Sequence, residues 1–163
     1  MEMNSIGLVE LSSIASGMHA ADIMLKTSEV ELILSRTICS GKYMVLIGGD
    51  VAEVQTAVDA AANNLEYSII DTFVIPHVHS DIFPAIAGHT HIETIEALGI
   101  LEAFSVASLI EGADAGIKAA NVKLIEIRLA MALGGKAFCT FTGEVAAVTS
   151  AVDSGARIIS DKG

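Results

Sequence analysis

Residues 6–40 read IGLVELSSIASGMHAADIMLKTSEVELILSRTICS, and residues 98–132 read LGILEAFSVASLIEGADAGIKAANVKLIEIRLAMA. Set one above the other without a gap, 12 of 35 positions are identical, among them Gly7/Gly99, Glu10/Glu102, Asp22/Asp114, Lys26/Lys118 and Arg36/Arg128. After a two-residue insertion the match resumes at Lys42/Lys136 and continues through Gly49/Gly143 to Asp59/Asp153. A repeat of roughly 90 residues is too long for a solenoid unit and suits a duplicated domain. The boundaries this implies are 1–90 for the first domain and 91–163 for the second.

Each copy has the same internal order. IGLVEL is a short apolar strand, and Ser13–Ser28 places Ile14, Met18, Ala21 and Leu25 at helical spacing. That face is expected to be buried, with Asp22 and Lys26 outside. VELILSRTI is rich in β-branched residues, Ser-Gly-Lys is a turn, and YMVLIG is the returning strand. Asp50, with Glu53 three residues on, reads as a capping-box variant opening the helix VAEVQTAVDAAANN. SIIDTFVIP is a further strand and HSDIFPAIA a short terminal helix of the first copy. The order β-α-β-β-α-β-α predicts an α+β fold of ferredoxin-like sheets with helices on one face. Copy two stops after its second helix without a counterpart of IIDTFVIPHVHSDIFPAIAG, so its last strand and helix are missing. The expectation is a truncated form, and an exposed sheet edge in the second copy.

Composition narrows the function. Nine Lys and Arg stand against 20 Asp and Glu, a net charge of −11, with two Tyr, five Phe and no Trp. There is no basic stripe and little to stack on bases, which argues against nucleic acid. Hydrophobic residues make up 52% of the chain, yet no run is long and uncharged enough for a transmembrane helix. MEMNSIGLVEL has neither a basic n-region nor a cleavage-like site, so no signal peptide is read there. Two cysteines, Cys39 and Cys139, are too few for a disulfide framework and point to a reducing compartment, the cytoplasm by default. Cys139, in KAFCTFTG, is expected to be inert core. Cys39 stands at a turn, where a thiolate is accessible and reactive.

The G-[LIV]-[LIV]-E strand, AADIMLK followed by EVELI, the G-K turn and GGDVAEVQTAVDAA resemble, in that order, the bacterial microcompartment shell domain. Two copies in one chain are similar to the tandem shell proteins, which implies a homotrimer with pseudo-sixfold symmetry and a central pore. It also implies a place in the microcompartment shell in the cytoplasm, packed edge to edge with other shell proteins. SRTICSGK is similar to the T-I-C-P-G-K turn of the propanediol-utilisation iron–sulfur members of that family. This implies one [4Fe-4S] cluster per trimer, with Cys39 as cofactor and metal ligand, for electron or cluster transfer across the shell, lumenal redox enzymes included. One Cys cannot hold such a cluster, whereas a threefold axis brings three thiolates together and leaves the fourth iron for an exogenous ligand. Amides of Ser40 and Gly41 would then tune its potential. The chain departs from the motif at Ser40, where the family variant has Pro.

The resemblance further implies that Ser40, Gly41 and Lys42 of the first copy, and Leu133, Gly134, Gly135 and Lys136 of the second, line the pore. Lys26 and Lys118 match the family's shell-edge lysine. A self-pairing edge needs a contact that works under two-fold symmetry, and a Lys stem can lie along apolar surface. The family's other edge run, I-P-R-P-H, here reads Ile75-Pro76-His77-Val78-His79, so His77 and His79 stand at that edge without the guanidinium fork of Arg. His77-x-His79 and His89-x-His91 could each chelate on one strand face, but no flanking Cys or carboxylate completes a set. Gly48-Gly49-Asp50 lacks the spacing of a phosphate loop and places an acid where phosphate would sit. No nucleophile, base and orienter are arranged together, so the expectation is a protein that is not an enzyme. Two other readings stay open: a cluster-free shell trimer whose pore conducts a metabolite, and a small ligand-binding regulatory α+β protein.

Overall fold

The computed structural model describes residues 3–162. The chain forms two compact units that divide between Val78 and His79. In the first, β1 (Ser5–Leu11) leads to α1 (Ile14–Thr27), β2 (Glu31–Ile38), β3 (Lys42–Gly49), α2 (Val51–Asn64) and β4 (Ile69–Pro76). The sheet order is β2-β3-β1-β4, and every neighbouring pair is antiparallel. This is the ferredoxin-like sheet that the element order predicts.

Local chemistry starts and stops these elements as the residues dictate. Ser13 caps α1 by accepting the Ser16 N–H, and Asp50 caps α2 by accepting the Ala52 N–H. Glu53 does not close a capping box. Its carboxylate accepts the Glu29 N–H at 3.1 Å, while the Ser28 hydroxyl donates to the Glu53 carbonyl at 2.8 Å, so the start of α2 is tied to the end of α1 instead.

The expected face of α1 is also corrected. Ile14, Met18 and Leu25 are exposed, and the buried residues are Ser16, Gly17, Ala20, Ala21 and Met24. Small side chains let the helix approach the sheet closely: a Cβ on Gly17 would fall inside the Tyr43 side chain of β3. Hydrophobic periodicity marked a stripe, but steric fit chose the neighbouring one. On the other helix, Val54 and Val58 of α2 lie over Gly7, where a Cβ would come within 2.6 Å of Val54 Cγ1.

The second unit carries α3 (Ile82–Ala87), β5 (Ala97–Ala103), α4 (Val106–Ala119), β6 (Lys123–Leu129), β7 (Ala137–Gly143) and α5 (Val145–Lys162). Its sheet has three strands in the order β5-β7-β6, again antiparallel. Helix α3, read from sequence as the end of the first copy, packs against β6 and α4 of this unit. The backbone N–H of His79 donates to Asp114 Oδ1 on α4 at 2.8 Å and helps anchor the segment before α3. Strand β5 has β7 as its one partner among the described residues, and Leu98 and Ile100 are exposed along it. The equivalent strand β1 lies between β3 and β4, and all seven of its residues are buried.

Candidate functional site

The two turns equivalent in the repeat are built differently. In the first, Cys39–Gly41 forms one tight turn between β2 and β3, and the last ladder pair before it is Ile38↔Lys42. Ser40 has φ 69° and Gly41 φ 72°, both left-handed. Glycine adopts this at no cost, whereas serine pays for it. Proline, whose ring holds φ near −65°, cannot adopt it at all. A proline at position 40 would therefore force this turn into another conformation, a larger effect than stiffening alone. Cys39 is half-buried, and Ser40 and Gly41 are exposed beside it.

The second turn, between β6 and β7, is longer. Ala130 (φ 46°), Ala132 (φ 57°), Gly134 (φ 63°) and Gly135 (φ 91°) are all left-handed, and the Lys136 N–H donates to the Leu133 carbonyl at 3.2 Å. Met131 and Leu133 are exposed at its tip, and no thiol is present. The turn is accordingly apolar and strained where the first is short and carries sulfur.

Both lysines expected at the pore are already engaged. Lys42 Nζ donates to Glu10 Oε1 at 2.8 Å, and Lys136 Nζ donates to Glu102 Oε1 at 3.0 Å. Lys136 also lies 5.4 Å from the centre of the Phe104 ring. Glu10 and Glu102 stand out in the sequence only as repeat identities with no role assigned, although the signal for one was there. Glu and Lys are identical in both copies at positions 10/102 and 42/136, while most of the residues around them differ.

Cys139 is fully buried on β7, and burial pushes its thiol up to about 12. A backbone hydrogen bond with Leu101 opposes that shift only in part. It is inert core, as its strand context suggested.

The lysines matched to the shell edge sit in unlike settings. Lys26 pairs with Asp22 at 2.7 Å with both side chains largely in solvent, 74% and 53% exposed. Lys118 pairs with Asp114 at 2.5 Å, and Asp114 is nearly buried and holds the His79 N–H as well. His77 is exposed with φ 52°, and His79 is half-buried, its Nδ1 accepting the Asp81 N–H at 3.2 Å. Among the described residues no three His, Cys, Asp or Glu are grouped so as to hold a metal ion.

Comparison with known proteins identifies the family. The family described as the BMC domain matches twice, at residues 5–78 and 97–163. The bacterial microcompartment shell protein PduT of Citrobacter freundii is 40% identical over 159 residues, covering 98% of this chain and 86% of that protein. PduA, a shell protein of the same organism, is 35% identical over 85 residues, which is 50% of this chain and 90% of PduA. A crystal structure of a microcompartment protein from Desulfitobacterium hafniense superposes with TM-score 0.94 at 48% identity, covering 99% of this chain and 89% of that one. Among the described residues, no helix is long and apolar enough to cross a membrane. With the domain matched in each half and the fold shared across nearly its whole length, this chain belongs to the BMC-domain family of microcompartment shell proteins, as a tandem member carrying the domain twice.

Proposed function

We propose that the chain is a structural tile of a bacterial microcompartment shell in the cytoplasm, a homotrimer whose six domains surround one central pore. Its role is architectural rather than enzymatic. The first-copy turn, Ser40–Lys42, and the second-copy turn, Leu133–Lys136, alternate around that pore. Three Cys39 thiolates meet on the axis and hold one [4Fe-4S] cluster, which supplies one-electron chemistry for transfer across the shell or to lumenal redox enzymes. The observation that carries this reading is the half-exposed Cys39 on the open turn of the first copy, with no thiol on the equivalent turn of the second.

Tiling uses the helix ends. Lys26, solvated on both its stem and its ion pair, is the edge contact free to meet a neighbouring tile. Lys118, held by a nearly buried Asp114, has less freedom to do so. His77 and His79 take the remaining edge positions, and neutral imidazole makes that edge weaker than an Arg edge.

Absorption and EPR spectra on anaerobically purified protein, before and after dithionite and beside Cys39→Ser, test the cluster. Broad visible absorption with bound iron and sulfide, lost in the variant, is the expected result. A colourless wild-type trimer after iron and sulfide reconstitution overturns the redox role and leaves a pore for metabolites. A discrete oligomer that never tiles into sheets would overturn the shell role in favour of a regulator.

A further inference from the structure

The turn bearing Cys39 is tied to the body of the sheet by a contact that the proposed function leaves unused. Glu10 lies on β1, and its side chain is only 8% exposed. A carboxylate so far from water is stable only when paired, and the partner here is Lys42, whose Nζ stands 2.8 Å from Oε1. Lys42 is the first residue after the turn, and its backbone pairs with Ile38, the last residue before Cys39. The ion pair therefore runs from the neighbouring strand β1 to the root of the turn. A pair with its carboxylate withdrawn from water resists displacement more than a fully exposed one.

The second copy has the same pair in a weaker setting. The Glu102 side chain is 63% exposed, and Lys136 is shared with the Phe104 ring. Nothing on that turn needs an orientation comparable to that of a thiol.

We propose that Glu10 is a positioning residue for the Cys39 turn. By holding Lys42 on the sheet face, it fixes the root of the turn and, with it, the left-handed conformations of Ser40 and Gly41 that set the direction of the thiol. The inference rests on the reading of Cys39 as the ligand, and the test separates the two.

Hydrogen–deuterium exchange on the full chain compares wild type with Glu10→Gln, Lys42→Met and the double variant. It is read at residues 38–43, at α2 and at residues 130–136, with iron retained after anaerobic reconstitution as a second readout. Glu10→Gln is nearly isosteric and keeps the fold. It raises exchange at 38–43 about tenfold, the size expected for one charge-assisted pair, and leaves α2 and 130–136 unchanged. Lys42→Met raises it at least as much, because it leaves the buried Glu10 carboxylate unpaired, and the double variant goes no further than Lys42→Met because the two residues act as a unit. Iron retention falls severalfold in Glu10→Gln. Unchanged exchange at 38–43 overturns the inference. Equal acceleration throughout the first unit also overturns it, since Glu10 is then a fold residue only. Wild-type protein that takes up no iron, alongside a loosened turn in Glu10→Gln, overturns the cluster and leaves the positioning role standing.

Discussion

The two copies place helices over equivalent strands of their separate sheets, yet they fill the space between with opposite choices. In the first, Gly17 on α1 makes room for Tyr43 on β3. At the equivalent positions the second copy has Leu109 on α4 and Ala137 on β7, both fully buried. Two turns further along the helix, Met24 and, on the strand, Ile47 in the first copy correspond to Gly116 and Phe141 in the second, where a Cβ on Gly116 would come within 3.0 Å of Phe141 Cζ. The helix pair is a different case: Ala20 and Ala61 in the first correspond to Gly112 and Gly155, both smaller, and a Cβ on Gly155 would come within 2.6 Å of the Gly112 carbonyl, so the second pair of helices has no room for either methyl. Between helix and sheet, large and small have traded places. What the repeat preserves in its core is local volume, because interiors are packed to near-crystalline density and tolerate a swap but not a surplus. Gly7 and Gly99 are the contrasting case, identical because each meets a pair of valines on the crossing helix at 2.6 and 2.8 Å.

Transplanting one copy's residue into the other should break this complementarity. Gly17→Leu, which borrows the second copy's side chain, should cost about 3 kcal/mol or more, since it drives the new atoms into Tyr43. Adding Tyr43→Ala should recover most of the loss by recreating the second copy's pairing. Denaturant unfolding of the single and double variants decides it, and additive losses would refute volume exchange between these positions.

The ion pairs sharpen the comparison next. Asp114 is nearly buried and holds both Lys118 and the His79 N–H, so Asp114→Asn should cost about 2 kcal/mol. Asp22→Asn, in an exposed pair, should cost no more than about 0.5 kcal/mol by the same measurement.

A smaller effect follows from Cys139, whose thiol burial pushes up to about 12. The folded chain keeps that proton while the unfolded chain releases it near the ordinary thiol range. The contribution is therefore complete below the unfolded value, falls as pH rises through it, and levels off only above the folded value. Stability should drop by about 1 kcal/mol near pH 10 through this group. Cys139→Ala should remove that slope, while Cys39→Ala should leave it in place. At the first turn, Ser40→Gly should stabilise the first copy by about 0.5–1 kcal/mol by relieving the left-handed serine. Ser40→Pro should reverse the sign, and a neutral Ser40→Pro would show that the turn changes conformation freely.

Much of the molecule was legible in its residues. The 12 identities between residues 6–40 and 98–132 established the duplication, and alternation and capping residues placed the first unit's strands and helices in order. Asp50 was readable as an N-cap, and Cys139 as core, because both follow from chemistry within a few residues. The position of Cys39 on a turn was likewise local. That three copies of it could converge came from resemblance, since no single-chain pattern encodes a symmetry axis.

Tertiary structure decided the rest, in each case because the answer depended on a partner distant in sequence. Periodicity offered two adjacent faces of α1, and the ring of Tyr43 selected the one with glycine and alanine. Glu53 had an acceptor's choice between its own helix start and the Glu29 N–H, and the packing of α1 near α2 put the latter in reach. Helix α3 went to β6 rather than to the copy that precedes it. Lys42 and Lys136 turned from the turn tips to Glu10 and Glu102 on the neighbouring strands; for Lys42 the carboxylate is a better partner than open water because that pair is partly buried. Sequence determined which elements form and in what order, through interactions spanning a few residues; packing alone determined which face is buried and where each charge is anchored.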